Sequence, residues 1–356
     1  MFNFVHLKQG LKYFFASVRQ KTKGYKRYSG SADDICRSIV DDCWTGVFFQ
    51  TSVSHYKSEF WSRDFGFVVG SLLKLGYKDE VLKTLDFALR RFFKANKIAT
   101  TVLRNNVFSF PDVYSPDSVA LFLHSLLYAK ADDLVNRYYS FLQNRFSEFA
   151  DVVLDSSGNV KRKTHFSCMR DYVVYDASCY DHCMAVLMAR CAKKFNFVFP
   201  FSEKELTKKL NDNYWLGDFY KADMAHDIPS GDSLLLPFWI NRCKSPFKVL
   251  RFIQKNNFDK PFPLIYGSFE FPSVFVKFFV PGWQSDVVWP FLGLPFLESV
   301  KSFKPSLVKK YKFQYNEIIE RYKTLFELYS RDSKPYGSLF YHADDGLIWA
   351  AIYLNL

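Results

Sequence analysis

The chain has 356 residues, of which 49% are hydrophobic and 24% charged, the balance of a globular protein with a substantial core. Its formal charge of +12 is spread over many segments, without a zinc-finger, phosphate-loop or helix-turn-helix pattern, so no specific nucleic-acid partner is expected. The 7 cysteines form no Cys-x-x-Cys pair and are odd in number, which argues against a disulfide framework and for reduced, buried thiols in a cytoplasmic protein.

Residues 2–20 carry Leu7, Leu11, Phe14, Phe15 and Val18 at helical spacing, predicting an amphipathic helix that packs on the domain, with a membrane surface as its rival partner. His6, Lys8 and Lys12 interrupt what would be the apolar core of a signal peptide, and no apolar run approaches a membrane span. A joint rich in Gly, Ser and Tyr ends at Gly30. The chain therefore divides into residues 1–30, helix and joint, and one domain over residues 31–356.

Twelve helices are expected after the joint, at 32–50, 64–75, 78–97, 116–130, 132–149, 174–194, 203–212, 230–242, 246–256, 285–300, 305–328 and 345–355. The odd-numbered members are amphipathic, as in Leu307, Tyr311, Tyr315, Ile318, Ile319, Tyr322 and Phe326 along one face of the eleventh. The even-numbered members are apolar nearly all round, as in Leu121-Phe122-Leu123-His124-Ser125-Leu126-Leu127, which suits a helix enclosed by others. Links from an even helix to the next odd one are short, whereas the links from odd to even run to roughly 12 to 27 residues, beyond the usual length. This alternation describes an all-α fold, an (α/α)6 toroid of six helical hairpins. Its long loops surround the N-terminal ends of six inner helices. A β-like run at 274–280 is expected to form a small hairpin on that rim.

Polar residues open the inner helices. Phe60-Trp61-Ser62-Arg63-Asp64, Pro116-Asp117-Ser118, Ser230-Gly231-Asp232-Ser233, Gln284-Ser285-Asp286 and Ala343-Asp344-Asp345-Gly346 each precede an apolar run. Unpartnered N–H groups there favour anions. Asp64, Asp117, Asp171, Asp232, Asp286, Glu327 and Asp345 then fall near one end, interleaved with Trp61, Tyr175, Trp215, Trp239, Trp283, Trp289 and Tyr341. Carboxylates that bond hydroxyls and move protons, beside aromatic faces that pack on C–H surfaces, make a sugar site. Each residue taken alone also fits an N-cap or a core aromatic; the recurrence at one end favours the site. The histidines show no metal-ligand spacing, no nucleophile elbow is present, and no cofactor is implied.

These motifs resemble the six-hairpin glycoside hydrolases, the group of glucoamylases, amylo-1,6-glucosidases, trehalases, processing α-glucosidases and neutral invertases. Trp61-Ser62-Arg63-Asp64-Phe65 is similar to the group's Trp-x-Arg-Asp element, whose Asp holds hydroxyls of the terminal sugar. Asp117-Ser118 resembles the Asp-Ser motif that carries the general acid in neutral invertases. Trp283-Gln284-Ser285-Asp286-Val287-Val288-Trp289-Pro290 is similar to Trp-Arg-Gly-Pro-Val-Trp-Pro, which lines the sugar pocket. Gln284-Ser285-Asp286 departs from it, leaving that loop's contacts open. Glu327, with Ser338-Leu339-Phe340-Tyr341 after it, resembles the segment that supplies the base. The resemblance implies an exo-acting hydrolase of an α-glucosidic bond in a disaccharide or oligosaccharide, and inversion is expected because Asp117, opening an inner helix, and Glu327, closing the last outer one, should face each other with room for a water between them. Asp117 would be its acid and Glu327 its base, and Trp61, Arg63, Asp64, Asp171, Tyr175, Asp232, Trp283, Gln284, Trp289 and Tyr341 would bind the carbohydrate. A phosphorylase drawing on Lys277 or Arg331, an epimerase on the same toroid, and a non-catalytic carbohydrate-binding scaffold remain alternatives, and the sequence leaves the sugar and the oligomeric state open.

Overall fold

Most of the expected apolar runs become helices, two of them with a proline, Pro237 or Pro295, inside. The computed structural model describes residues 4–103, 106–170, 173–267 and 280–356. In chain order the helices are α1 (Phe4–Lys23), α2 (Ala32–Cys43), α3 (Ser62–Lys74), α4 (Lys78–Ala95), α5 (Pro116–Tyr128), α6 (Asp132–Arg137) and α7 (Tyr139–Val153). They continue as α8 (Cys179–Phe195), α9 (Glu203–Tyr214), α10 (Gly231–Trp239), α11 (Pro246–Lys255), α12 (Pro290–Val300), α13 (Pro305–Tyr322) and α14 (Ala350–Leu354). Three short strands, β1 (Glu59–Trp61), β2 (Thr101–Leu103) and β3 (Asn106–Phe108), pair antiparallel in that order, with Phe60 opposite Val102 and Val102 opposite Val107. The described residues are thus helix-rich with little sheet.

Six helices touch one another in a closed cycle: α3 on α5, α5 on α8, α8 on α10, α10 on α12, α12 on α14 and α14 on α3. These are the apolar ones, with every residue from Pro116 to Leu126 of α5 and from Cys179 to Ala189 of α8 buried. The amphipathic helices pack outside the cycle, α4 on α3, α7 on α5 and α8, α9 on α8, α11 on α10, and α2 and α13 on each other and on α14 and α12 respectively. α3 and α5 approach closely at Gly66, where an added Cβ would stand 2.5 Å from the Leu121 Cβ, so Leu121 packs there on bare backbone.

Several boundaries differ from expectation for local reasons. The first outer helix stops at Cys43, before Trp44, Gly46 (φ +86°) and Phe49 make a turn closed by a bridge between Trp44 and Phe49. The segment expected at 132–149 is split at Tyr138 into α6 and α7. The helix expected from 285 opens only at Pro290, the position where a missing N–H costs nothing. The last inner helix is reduced to Ala350–Leu354, although residues 343–353 are buried. The β-like run at 274–280 falls, all but residue 280, outside the described residues.

The N-terminal helix lies on the domain with the face opposite to the expected one. Gln9, Ser17 and Gln20 are buried, whereas Leu11, Phe14, Phe15 and Val18 are exposed. Of the cysteines, all are free and all but Cys243 are buried. His124 packs against Trp239 and Tyr128 in the core, and burial pushes its imidazole down to about 3.

Candidate active site

The residues that open the inner helices are brought together through hydrogen bonds. Arg63 and Asp64 sit in the first turn of α3. The buried Arg63 Nε donates to Asp117 Oδ2 at 2.6 Å, and its Nη2 reaches Ser167 Oγ at 3.2 Å. Asp117, in the first turn of α5, also accepts from the Tyr180 hydroxyl at 2.8 Å through Oδ2 and from the Ser118 N–H at 2.6 Å and Ser118 Oγ at 3.2 Å through Oδ1. Its acceptor positions are filled, and Arg63 is its counter-ion. This arrangement is that of an anchor for Arg63; to act as the general acid expected from the sequence, Asp117 would have to surrender these bonds.

Asp64 accepts from Trp349 Nε1 at 2.8 Å. Burial pushes its carboxyl up to about 7, against the opposing pull of Arg63 and Trp349, and the charge of Glu327 adds to the rise. The side chain keeps 6% exposure. Glu327 stands in the segment before α14, where its N–H donates to the Asp344 carbonyl at 2.9 Å. Its Oε1 accepts from the Tyr56 hydroxyl at 3.0 Å and its Oε2 from the Tyr341 hydroxyl. Asp344, fully buried, is pushed well up by burial and by the charges of Asp345 and Glu327.

Two more carboxyls complete an arc around the rim. Asp181, in the first turn of α8, bonds Ser178 Oγ through Oδ2 at 2.6 Å, while its buried Oδ1 has no hydrogen-bond partner among the described residues. Burial and the charges of Asp117 and Asp232 push Asp181 up to about 8, with Ser178 and Arg63 pulling the other way. Asp232 opens α10 and accepts from Ser233 N at 2.8 Å and from the Tyr175 hydroxyl at 3.3 Å. Burial raises its carboxyl, in part offset by Ser230 and Arg170. Arg170, itself buried, contacts the Tyr175 hydroxyl at 3.4 Å and the Gln284 carbonyl, and lies over the Tyr266 ring.

The expected aromatics divide between rim and core. Trp283 faces Trp289 and Tyr341 at ring distances of 5.7 and 6.3 Å, and Trp289 Nε1 donates to the Trp283 carbonyl at 3.0 Å. Gln284 is buried beside them. Trp61 packs its edge on Tyr56 at 5.2 Å and donates to Glu59 Oε2 at 2.9 Å. Trp239, by contrast, ends α10 and packs on Phe67 and His124, two turns from the rim. Trp215 follows an outer helix and packs on Tyr220. Asp286 is half of an exposed ion pair with Arg331 at 2.7 Å, and the Arg331 guanidinium also donates to the carbonyls of Asn257 and Lys260. That commits the one described side chain on which the phosphorylase alternative drew. Lys277 and Asp171 lie outside the described residues.

The sequence reading missed Glu59, Asp181, Tyr180, Tyr56 and the inner face of α1. Glu59 is fully buried and accepts from Gln9, Lys12, Tyr13 (2.9 Å) and Trp61. Gln20 joins Asp345 to His55, whose Nε2 stands 2.7 Å from Gln20 Oε1. Lys21 reaches the carbonyls of Ser338 and Leu339. The first helix is therefore tied by polar contacts to the loops that precede α3 and α14. A cavity of about 940 Å³ lies along this seam, lined by Lys8, Lys12, Arg19, Lys57 and Asp345 among others. The Ser178 and Asp181 capping pattern offered a sequence signal; apart from the local bond of Trp61 to Glu59, the rest are long-range contacts.

No protein-family model matches the chain, and no curated protein matches it. Solved structures do. A wild-type glycosidase aligns over 91% of this chain and 95% of its own, with a TM-score of 0.65 and 11% identity. The GH63 mannosylglycerate hydrolase of Thermus thermophilus, solved with glucose, aligns over 91% and 98% with a TM-score of 0.54 and 10% identity. The GH78 family rhamnosidase of Bacillus sp. GL1 aligns over 92% of this chain and 35% of its own, with a TM-score of 0.61 and 12% identity. At these identities the likeness concerns architecture, and the chain has a glycoside hydrolase fold.

Proposed function

We propose that the chain is a glycoside hydrolase whose closed cycle of helices is the inner ring of an (α/α)6 toroid of six hairpins. It acts as an inverting, exo-acting enzyme on an α-glucosidic bond. The observation that carries this reading is Glu327: a carboxylate at 4% exposure, held between the Tyr56 and Tyr341 hydroxyls on a rim of carboxyls and tryptophans. Held by two donors, Glu327 is oriented to draw a proton from an attacking water. In a ring of six, α8 stands opposite α14, and on this reading Asp181, at the start of α8, faces Glu327, in the segment before α14, across the ring. At pH 7 a carboxyl pushed up to about 8 keeps its proton and can deliver it to a leaving oxygen. Asp181 thus replaces Asp117 as the proposed donor, and Asp117 holds Arg63.

Asp64, Asp232, Tyr175, Trp61, Trp283, Gln284, Trp289 and Tyr341 shape the subsite for the terminal sugar, the substrate being a disaccharide or oligosaccharide. Acid–base groups contribute on the order of 10²- to 10⁴-fold to rate. A panel of nitrophenyl glycosides of both anomers, with maltose, trehalose and sucrose, tests the reading. Turnover by the purified chain that falls at least about 100-fold in Asp181→Asn supports it. A chain inert on the entire panel, or an Asp181→Asn variant of unchanged rate, overturns the hydrolase or the donor assignment respectively.

A further inference from the structure

The first helix is built inside out for a docked terminal helix. Its polar face turns inward: Gln9, Tyr13 and Gln20 are engaged by Glu59, Asp345 and His55, and Ser17 is buried on the same side. Its apolar stripe points away from the domain: Leu11 is 49% exposed, Phe14 40%, Phe15 64% and Val18 40%. These positions follow i, i+3, i+4 and i+7, the spacing of one continuous helical face. A contiguous apolar face that the fold leaves uncovered marks an interaction surface. The same helix carries Lys8, Lys12, Arg19, Lys21 and Lys23 and no acidic residue, and Lys26 and Arg27 follow it, also exposed.

We propose that this outer face of α1 docks on an anionic membrane surface. Two observations select that occupant. Exposed cations border the apolar stripe: by helical geometry Lys8 and Arg19 fall beside it, the layout of a helix lying in a lipid interface with its charges at headgroup level, while Lys21 on the other side is held by the Ser338 and Leu339 carbonyls. A second copy of this chain would bring the same cations against themselves in a two-fold contact, where like charges repel. Among the described residues no helix is long and apolar enough to cross a membrane, so the contact lies in the interface plane. The stripe is free for it because Gln9, Tyr13 and Gln20, on the opposite face, hold the helix on the domain. The inference does not depend on the proposed hydrolysis.

Vesicle co-sedimentation of the full chain tests it. Vesicles of phosphatidylcholine with an equal share of phosphatidylglycerol should retain the protein at least about tenfold better than phosphatidylcholine alone, and added salt should release it. The double substitution Phe14→Ser with Phe15→Ser removes two exposed rings and should weaken retention by more than about tenfold, with an unchanged circular dichroism spectrum. Lys8→Glu with Arg19→Glu should abolish the preference for anionic vesicles, and serves as the test if the first pair alters the fold. Equal retention by both vesicle types, unchanged retention of both double variants, or a concentration-dependent dimer that Phe14→Ser with Phe15→Ser dissolves would overturn the proposal, the last by making a second copy the occupant.

Discussion

Replacing Asp181 by Asn should change the pH dependence of stability in a calculable way. Asp181 titrates at about 8 in the fold, against 3.8 for the ordinary side chain. The folded protein therefore binds this proton more tightly than the unfolded chain does. The contribution is fully present below pH 3.8 and is lost as pH rises through about 8. Between those values the unfolded chain has released the proton and the folded protein has kept it, so each pH unit removes about 1.4 kcal/mol. From pH 5 to pH 7 the wild type should lose about 3 kcal/mol through this group. Asn keeps the shape and can still meet the Ser178 cap, but it has no proton to lose. Urea unfolding of both proteins at several pH values isolates the term, because the other raised carboxyls, Asp64, Asp232 and Asp344, cancel in the difference. The gap between the two stabilities should shift in favour of Asn by about 3 kcal/mol over that interval. Parallel curves would mean that Asp181 is ionised in the fold, and the donor assignment would fall with it.

Two further substitutions probe the frame around the site. Arg63→Gln leaves the buried Asp117 without its counter-ion and should cost about 3 to 5 kcal/mol in denaturant unfolding; a cost below about 1 kcal/mol would show that Asp117 does not depend on Arg63. Gly66→Ala places a Cβ 2.5 Å from that of Leu121 and should destabilise by about 1 to 3 kcal/mol as α3 and α5 are forced apart, whereas an unchanged melting temperature would contradict the close approach.

The enclosed helices were legible because burial on every side leaves a sequence trace, as in Leu121 to Leu127, and the outer ones because the eleventh expected helix repeats its apolar positions along one face. Starts and ends were less so. Val287 and Val288 read as helix, yet Val288 bridges Ile265 and Tyr329 before Pro290 opens α12. Strands of three residues are too short to display a period of two. A recurrent turn also escaped notice: Trp44, Gly46 and Phe49 after α2 are matched by Trp215, Gly217 and Tyr220 after α9, each with a positive-φ glycine and a Trp-to-aromatic bridge. In the site, Arg63, Asp64, Asp117 and Asp232 stood out as polar residues opening apolar helices. Their roles did not, because a role depends on partners distant in sequence. Tyr180 and Arg63 saturate Asp117 from two other helices, and Tyr56 reaches Glu327 across 271 positions. The first helix misled for a related reason. Its apolar stripe was the obvious docking face, while its actual anchors, Gln9, Tyr13 and Gln20, are ordinary surface residues until Glu59 and Asp345 are placed beneath them.

The most direct measurement is NMR of the fresh product from a cleaved α-glucoside, made with the wild type and with Glu327→Gln. The account predicts that the wild type releases first the anomer opposite to that of the substrate. Glu327→Gln should lose at least about 100-fold in rate while calorimetry still detects sugar binding. Release of the substrate's own anomer first would contradict an activated water drawn across the pocket, and near-full activity of Glu327→Gln would remove Glu327 from the chemistry.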